Sequence, residues 1–197
     1  MTSNNFEPSS QLTGVILAGG QGRRMGGRNK GLLQVEGQPL IAFAAENLRP
    51  HVSEILVNTN TESERYQRLG YQVINDGDFA GKGPLAGILA GLSATSTPYI
   101  AICACDQLEL PPNVYPELFK AAQKNPSGLA VAHDGDRLHP TCAVISQLNR
   151  QSLLDRLKQN QLRVGEWFTD MKADVVVFEG VTFYNINTPM DLITRGS

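Results

Sequence analysis

The sequence predicts a three-layer α/β/α fold with a mostly parallel central sheet for this chain of 197 residues. Three observations carry the prediction. Short β-rich runs alternate with helical patterns, several of the runs are apolar without polar alternation, and no Pro-, Gly- or Ser-rich linker divides the chain after residue 11. Continuous apolar strands are usually covered on both faces, as in parallel sheets. Strand, helix and strand at this spacing mean βαβ units with right-handed crossovers.

The elements follow in order. Val15, Ile16 and Leu17 form a buried strand, followed by a glycine-rich segment and a helix near 39–48. EILVN (54–58) is the next strand, then a polar helix around 62–69. YQVI (71–74) is a third strand, with a loop and a helix near 85–93 behind it. YIAICAC (99–105) is the fourth and most apolar. The second half is less regular. Residues 129–132 and 142–145 flank the loop HDGDRLHPT (133–141) and suggest an antiparallel or mixed excursion. Residues 147–158 and 164–171 read as helices, and 175–178 and 183–186 as late strands. Thr188, Pro189 and Asp191 mark a helix start, with Thr as N-cap, Pro at the first position and an acid in the first turn. The domain is expected over 12–197, behind a disordered tail at 1–11.

Composition narrows the function. With 41% hydrophobic and 18% charged residues, disorder along the whole chain is excluded. The net charge of −2 argues against a general binder of nucleic acid or of anionic membrane. No apolar run approaches the roughly 20 residues that span a bilayer, and the first eleven residues lack the basic and apolar regions of a signal peptide. Cys103, Cys105 and Cys142 are an odd count without CxxC, which favours a reduced, cytoplasmic protein over a disulfide framework or a zinc site. Cys103 and Cys105 alternate along their strand and read as small core residues.

The glycines point to a site. Twelve of the 19 fall in two stretches, seven in 14–31 and five in 77–91. The first stretch, LAGGQGRRMGGRNKG (17–31), follows the first strand and carries Arg23, Arg24, Arg28 and Lys30, while no acid occurs from Pro8 to Val35. Glycines at a strand end let backbone N–H groups approach an anion closely, and four cations match a triphosphate. The P-loop pattern is absent, since Asn29 and Gly31 flank Lys30. A dinucleotide fingerprint is only nearly met: Met25 takes the place of its third glycine and Asn58 that of its acid, which leaves a dehydrogenase as an outsider.

LAGG, RMGG and KG at this spacing resemble the nucleotidyltransferases that open with a pyrophosphorylase-type loop, and among these the molybdenum cofactor guanylyltransferase family. The resemblance runs from about Leu12 to the C-terminus and implies a Rossmann-like nucleotidyltransferase fold. It implies an enzyme that transfers GMP from GTP to the terminal phosphate of molybdopterin, or of its molybdenum-bound form, releasing pyrophosphate. Leu17, Ala18, Gly19 and Gly20 would meet the nucleotide, the first three through backbone groups at the base, and Lys30 and Arg24 the phosphates. Asn29 stands where the family usually has Asp.

Nucleotidyl transfer needs Mg²⁺, which takes hard oxygen ligands, and ligand sites of open α/β sheets lie at the carboxyl ends of strands. Asp106 ends the apolar run and is the metal-ligand candidate, where the family has its metal aspartate. Asp76, after YQVIN, is the second metal-ligand candidate; by resemblance it and Asn58 belong to the nucleotide pocket, where Asp76 touches base or ribose or assists the metal, and the alternative is an Asx-turn cap. GPLAG (83–87) precedes a helix; by resemblance Gly83 and Gly87 contact the nucleotide, while Gly91 fits helix–sheet packing and Lys82 a phosphate or carboxylate contact.

His139 precedes Pro140, is restricted to extended geometry and reads as a structural or substrate-contact residue rather than a base. The resemblance places Arg137, His139, Arg163, Asn185 and Asn187 on the acceptor side, with an ordinary surface role as the alternative for Arg163. It also implies transient contact with proteins of molybdenum cofactor biosynthesis or with acceptor proteins. Three alternatives remain: a cytidylyltransferase acting on molybdopterin, a sugar-phosphate nucleotidyltransferase, and a nucleotide-binding protein without turnover. LAGG rather than LAAG and the RLHPT stretch favour guanine and molybdopterin by resemblance.

Overall fold

The computed structural model describes residues 10–19, 29–181 and 183–186. Seven strands form one sheet in the order β5-β4-β1-β6-β8-β7-β9. They are β1 (Leu12–Leu17), β4 (Ile55–Asn58), β5 (Gln72–Ile74), β6 (Tyr99–Ala104), β7 (Leu129–His133), β8 (Leu138–Ser146) and β9 (Asp174–Val177). Only β8 runs antiparallel to the rest, wedged between β6 and β7. A two-stranded hairpin, β2 (Gln34–Val35) with β3 (Gln38–Pro39), stands outside the sheet.

The helices are α1 (Leu40–Leu48), α2 (Ser63–Arg68), α3 (Pro84–Ala94), α4 (Val114–Lys124), α5 (Arg150–Lys158) and α6 (Val164–Asp170). Side chains alternate across β1, so Leu12 and Ile16 join one core with α1, Tyr66 of α2 and α4. Val15 and Ile102 join the other with α3, α5 and α6, where Trp167 is fully buried. Helix α1 follows from its pattern: Leu40, Ile41, Ala44, Ala45 and Leu48 recur at one-turn spacing and are all buried.

Chain order places a site before any side chain is considered. From β1 the chain winds outward through α1 and α2 to β4 and β5, then crosses the sheet by α3 to β6 on the other side of β1. The winding reverses between β1 and β6, and a crevice opens at such a switch point beyond the carboxyl ends of the strands.

Several expectations change. Helix α4 is not among the predicted helices: Pro116 lies in its first turn, where the missing N–H had no intrahelical partner to lose. Its signal is the set Val114, Tyr115, Leu118, Phe119 and Ala122, all buried, and the Tyr115 hydroxyl donates to the Ile102 carbonyl at 3.0 Å. The β2–β3 hairpin is also unpredicted; it turns on Glu36 and Gly37, both at positive φ (50° and 79°). The loop expected over 133–141 shrinks, because β7 reaches His133 and β8 starts at Leu138. The strand expected over 183–186 is absent among the described residues. There the backbone makes a single antiparallel bridge, Asn185 with Gln107, so it joins the loop after β6 rather than the sheet. The 188–191 helix start and residues 1–9 of the tail lie outside the described residues. No helix among the described residues is long and apolar enough to cross a membrane.

Gly91 sets how closely α3 rides on β1: a Cβ there would meet Val15 Cγ2 at 2.8 Å and Cγ1 at 3.1 Å. Gly91→Ala is therefore expected to cost about 1–3 kcal/mol, as overpacking does, and Val15→Ala in the same chain to recover part of it. Urea unfolding of the single and double variants measures both.

Candidate functional site

The carboxyl ends of four parallel strands lie level. Leu17 pairs with both Asn58 and Ala104, and Asn58 pairs with Ile74. Two residues beyond each of these positions stand Gly19, Asn60, Asp76 and Asp106. Two clusters result.

The first cluster joins β1 and β6. Lys30 opens a turn of 3₁₀ helix (Lys30–Leu32), and its Nζ lies 2.5 Å from Asp106 Oδ2, with both side chains largely but not fully buried. The other oxygen, Oδ1, faces the Asn185 amide at 3.5 Å. Asn185 arrives there because Ile186 N–H donates to the Asp106 carbonyl, Leu108 N–H donates to the Tyr184 carbonyl, and the Gln107 amide also reaches Tyr184.

The second cluster joins β4 and β5. Asp76 Oδ1 accepts from Asn58 Nδ2 at 2.8 Å and Oδ2 from the Asn60 amide, while the Asp76 N–H donates back to Asn60 Oδ1 at 3.0 Å. Asn58 is buried, and Gly87 of α3 is packed so tightly over it that a Cβ would collide with its amide and with Leu17. Exposed Gly19 has Asn58 Oδ1 and Asn60 Nδ2 within 4 Å of where a Cβ would be. Asn60 is absent from the sequence-derived candidates; its signal was the spacing N-x-N at a strand end, with the second Asn level with Asp76.

The remaining candidates divide. Ala18 N–H donates to the Asn58 carbonyl and the Leu17 carbonyl accepts from Cys105 N–H, so these groups are engaged in holding the strands together. Gly83 caps α3 with φ 76°, a conformation that favours glycine, with open space around it. Lys82 turns to the Leu157 carbonyl at the end of α5, 2.9 Å away, rather than to the site. Arg163 is exposed and pairs with Glu166 at 2.8 Å. Gly20, Arg23, Arg24, Arg28 and Asn187 lie outside the described residues.

His139 is buried, with Nε2 2.6 Å from Asp134 Oδ2, and its ring stacks on Phe183 at 4.4 Å, two residues before Asn185. Arg137 is exposed beside the same carboxylate, with Nε at 3.9 Å. Among the described residues no group of three or more His, Cys, Asp or Glu could hold a metal. Asp106 is one carboxylate at the strand end, already facing a cation, and suits a metal that draws its other ligands from phosphate and water. The three cysteines are free and buried, and burial pushes the thiols of Cys103 and Cys105 up to about 12, leaving them protonated.

Comparison with known proteins places this geometry. Residues 14–171 match the family model described as "MobA-like NTP transferase domain". The molybdenum cofactor guanylyltransferase of Shewanella sediminis is 37% identical over 183 residues, covering 92% of this chain and 93% of its own; one from Shewanella sp. MR-4 is 35% identical over the same coverage. Among solved structures, molybdopterin-guanine dinucleotide biosynthesis protein A from Archaeoglobus fulgidus superposes with a TM-score of 0.74, at 23% identity, over 93% of this chain and 96% of that one. The 2-C-methyl-D-erythritol 4-phosphate cytidylyltransferase of Thermus thermophilus gives 0.68 at 19% identity, over 92% and 95%. At these identities the two structures show a shared fold.

The Asp134 turn carries a pH prediction. Backbone N–H donation from Arg137, the His139 hydrogen bond and donation from Asp136 N–H hold its carboxyl well below the usual carboxylate range. A depressed carboxyl stabilises the fold above its unfolded-state pKa of about 4, and loses that stabilisation as the pH falls towards the folded value. Asp134→Asn should therefore be less stable than the parent at pH 7, with the gap narrowing as the pH drops below about 4. Urea midpoints across that range check it.

Proposed function

The chain belongs to the family of MobA-like NTP transferase domains, and from that premise we propose that it transfers GMP from GTP to the terminal phosphate of molybdopterin, or of its molybdenum-bound form, releasing pyrophosphate. The observation that carries the reading is the level ending of four strands at the switch point. It sets a polar cluster (Asn58, Asn60, Asp76) beside a lysine–carboxylate pair (Lys30, Asp106), one suited to a base and the other to a triphosphate. Gly19 supports the base side by presenting exposed backbone without a side chain, and Gly87 by letting α3 close down on Asn58. The guanylyltransferases of Shewanella, alike over nearly the whole chain, support guanine and molybdopterin over cytosine or a sugar phosphate.

The chemistry asked of the chain is modest. An oxygen of the acceptor phosphate bonds to the α-phosphorus, the bond from that phosphorus to the bridging oxygen breaks, and its electron pair leaves with pyrophosphate. The acceptor phosphate is already ionised, so no Ser–His or Cys–His pair is required to activate it. Lys30 moves from Asp106 to the phosphates and offsets the charge that builds on the leaving oxygens. Arg24 and Gly20 are proposed for the same phosphates. Mg²⁺, which Asp106 would hold together with substrate oxygens, supplies charge neutralisation when bound. His139 serves the acceptor side through Phe183, which shares a segment with Asn185, and Arg137 is its exposed neighbour; Asn187 is proposed for the same side and Arg163 as a more distant contact. The cytoplasm is the compartment in this reading, supported by three free, buried thiols.

Pyrophosphate release measured with GTP, CTP, UTP and ATP, with and without molybdopterin, is expected to be substantial only for GTP plus molybdopterin. A preference for CTP would make the protein a cytidylyltransferase, and tight GTP binding without pyrophosphate would make it a binding protein. Asp106→Ala is expected to abolish turnover while remaining folded, and Lys30→Ala to lower kcat by about 10²–10³-fold, the scale of losing one charge-stabilising donor.

A further inference from the structure

Lys30 sits between two residues that grip the same buried hydroxyl. Asn29 precedes it in extended backbone (φ −66°, ψ 112°), a position where an Asn side chain commonly caps the turn that follows. Here the side chain makes no cap bond. Its Oδ1 accepts from the Tyr66 hydroxyl at 2.5 Å, and its Nδ2 points to Thr61 Oγ1 at 3.4 Å. Gly31, on the other side of Lys30, lies so close to Tyr66 that a Cβ would fall 2.5 Å from the hydroxyl and 3.4 Å from Cys105 Cβ. The turn carrying Lys30 is thus seated on the Tyr66 hydroxyl and on the residue before Asp106.

Tyr66 itself is fixed. It lies in α2, its ring has no exposed surface, and burial raises its pKa so that the phenol stays a donor. Thr61 belongs to the β4–α2 loop, in which its carbonyl accepts from the Thr59 hydroxyl at 2.8 Å, one residue before Asn60. Asn29 therefore ties the lysine turn to the loop that holds Asp76. A carboxylate could accept from Tyr66 but could not donate to Thr61, and would place a negative charge beside the lysine.

We propose that Asn29 and Tyr66 are positioning residues for Lys30, a neutral latch that fixes the lysine turn between the β4–α2 loop and the end of β6. The proposal rests on the guanylyl-transfer reading. It predicts that the Tyr66 hydroxyl matters for Lys30 only through its bond to Asn29. Misplacing a phosphate-binding group by about 1 Å can cost up to 10²-fold, and Tyr66→Phe and Asn29→Ala are each expected to lower kcat/KM for GTP by about tenfold. The double variant is expected to be no worse than Asn29→Ala alone, since the bond that Tyr66→Phe removes is already lost there. Asn29→Asp keeps the acceptor for Tyr66 and is expected to keep kcat within about threefold while raising KM for GTP at low salt, an electrostatic effect that salt screens.

The test is this double-variant cycle, read as kcat and KM for GTP and as the dissociation constant of Mg·GTP by calorimetry, with urea unfolding alongside to set the folded fraction. Multiplying losses in the double variant, or kcat/KM per folded molecule unchanged in the single ones, would overturn the latch. A parent protein that binds Mg·GTP without transferring GMP would overturn the guanylyl-transfer reading instead, and the cycle in dissociation constants would still decide the latch.

Discussion

Everything in the site hangs on the register of four parallel strands. Because Leu17, Asn58, Ile74 and Ala104 lie level, the residues two positions beyond them arrive together without any long-range side-chain design. Strand register is strongly specified here, since a slip of one residue would turn Val15 and Ile16 into each other's core. The two hydrophobic layers thus fix the site by fixing the sheet. Glycines complete the arrangement where α3 must come close: Gly91 over Val15 and Gly87 over Asn58 bring the helix down on the strand ends.

Upon that frame the charges are few. Lys30 and Asp106 neutralise each other, and with side chains 18% and 14% exposed the pair is screened far less than a surface pair yet remains reachable by solvent. Such a pair is a reservoir rather than a strut. A polyphosphate offers the lysine several oxygens in place of two, and releasing the lysine leaves a carboxylate ready for a cation. In the proposed reading, triphosphate and cation binding would favour each other, since the lysine that the phosphates gain is the one that the carboxylate gives up.

The frame was legible in the sequence, and the wiring was not. Val15, Ile16 and Leu17, the run ending at Cys105, and the acids Asp76 and Asp106 stand out because apolar strands and strand-end acids are local patterns. The fourth helix did not stand out, because Pro116 interrupts a pattern that its first turn tolerates. Residues 183–186 carry a strand-like composition, yet one bridge to Gln107 is all the pairing that the described residues make, because the loop after β6 offers no further partner in register. Asn60, Tyr66 and Thr61 owe their roles to contacts 16 to 37 residues away, which no local spacing encodes. His139, read before Pro140 as a structural or substrate-contact residue, has its ring taken up by Asp134 and Phe183, two partners that its local spacing does not name.

The choice of amides around the site has a physical logic. Asp76 is held by Asn58 and Asn60, Asp106 faces Asn185, and the turn of Lys30 is tied down by Asn29. An amide orients a carboxylate through N–H donation while leaving its full negative charge in place, which a lysine or arginine in the same position would cancel. It can also accept, so Asn60 holds Asp76 at two points, and Asn29 satisfies Thr61 of the β4–α2 loop and Tyr66 of α2 together. Asp76 is fixed in direction without being neutralised, and Asp106 is matched by a lysine that solvent still reaches, so in the proposed reading the crevice keeps its charges for the ligand rather than for the fold.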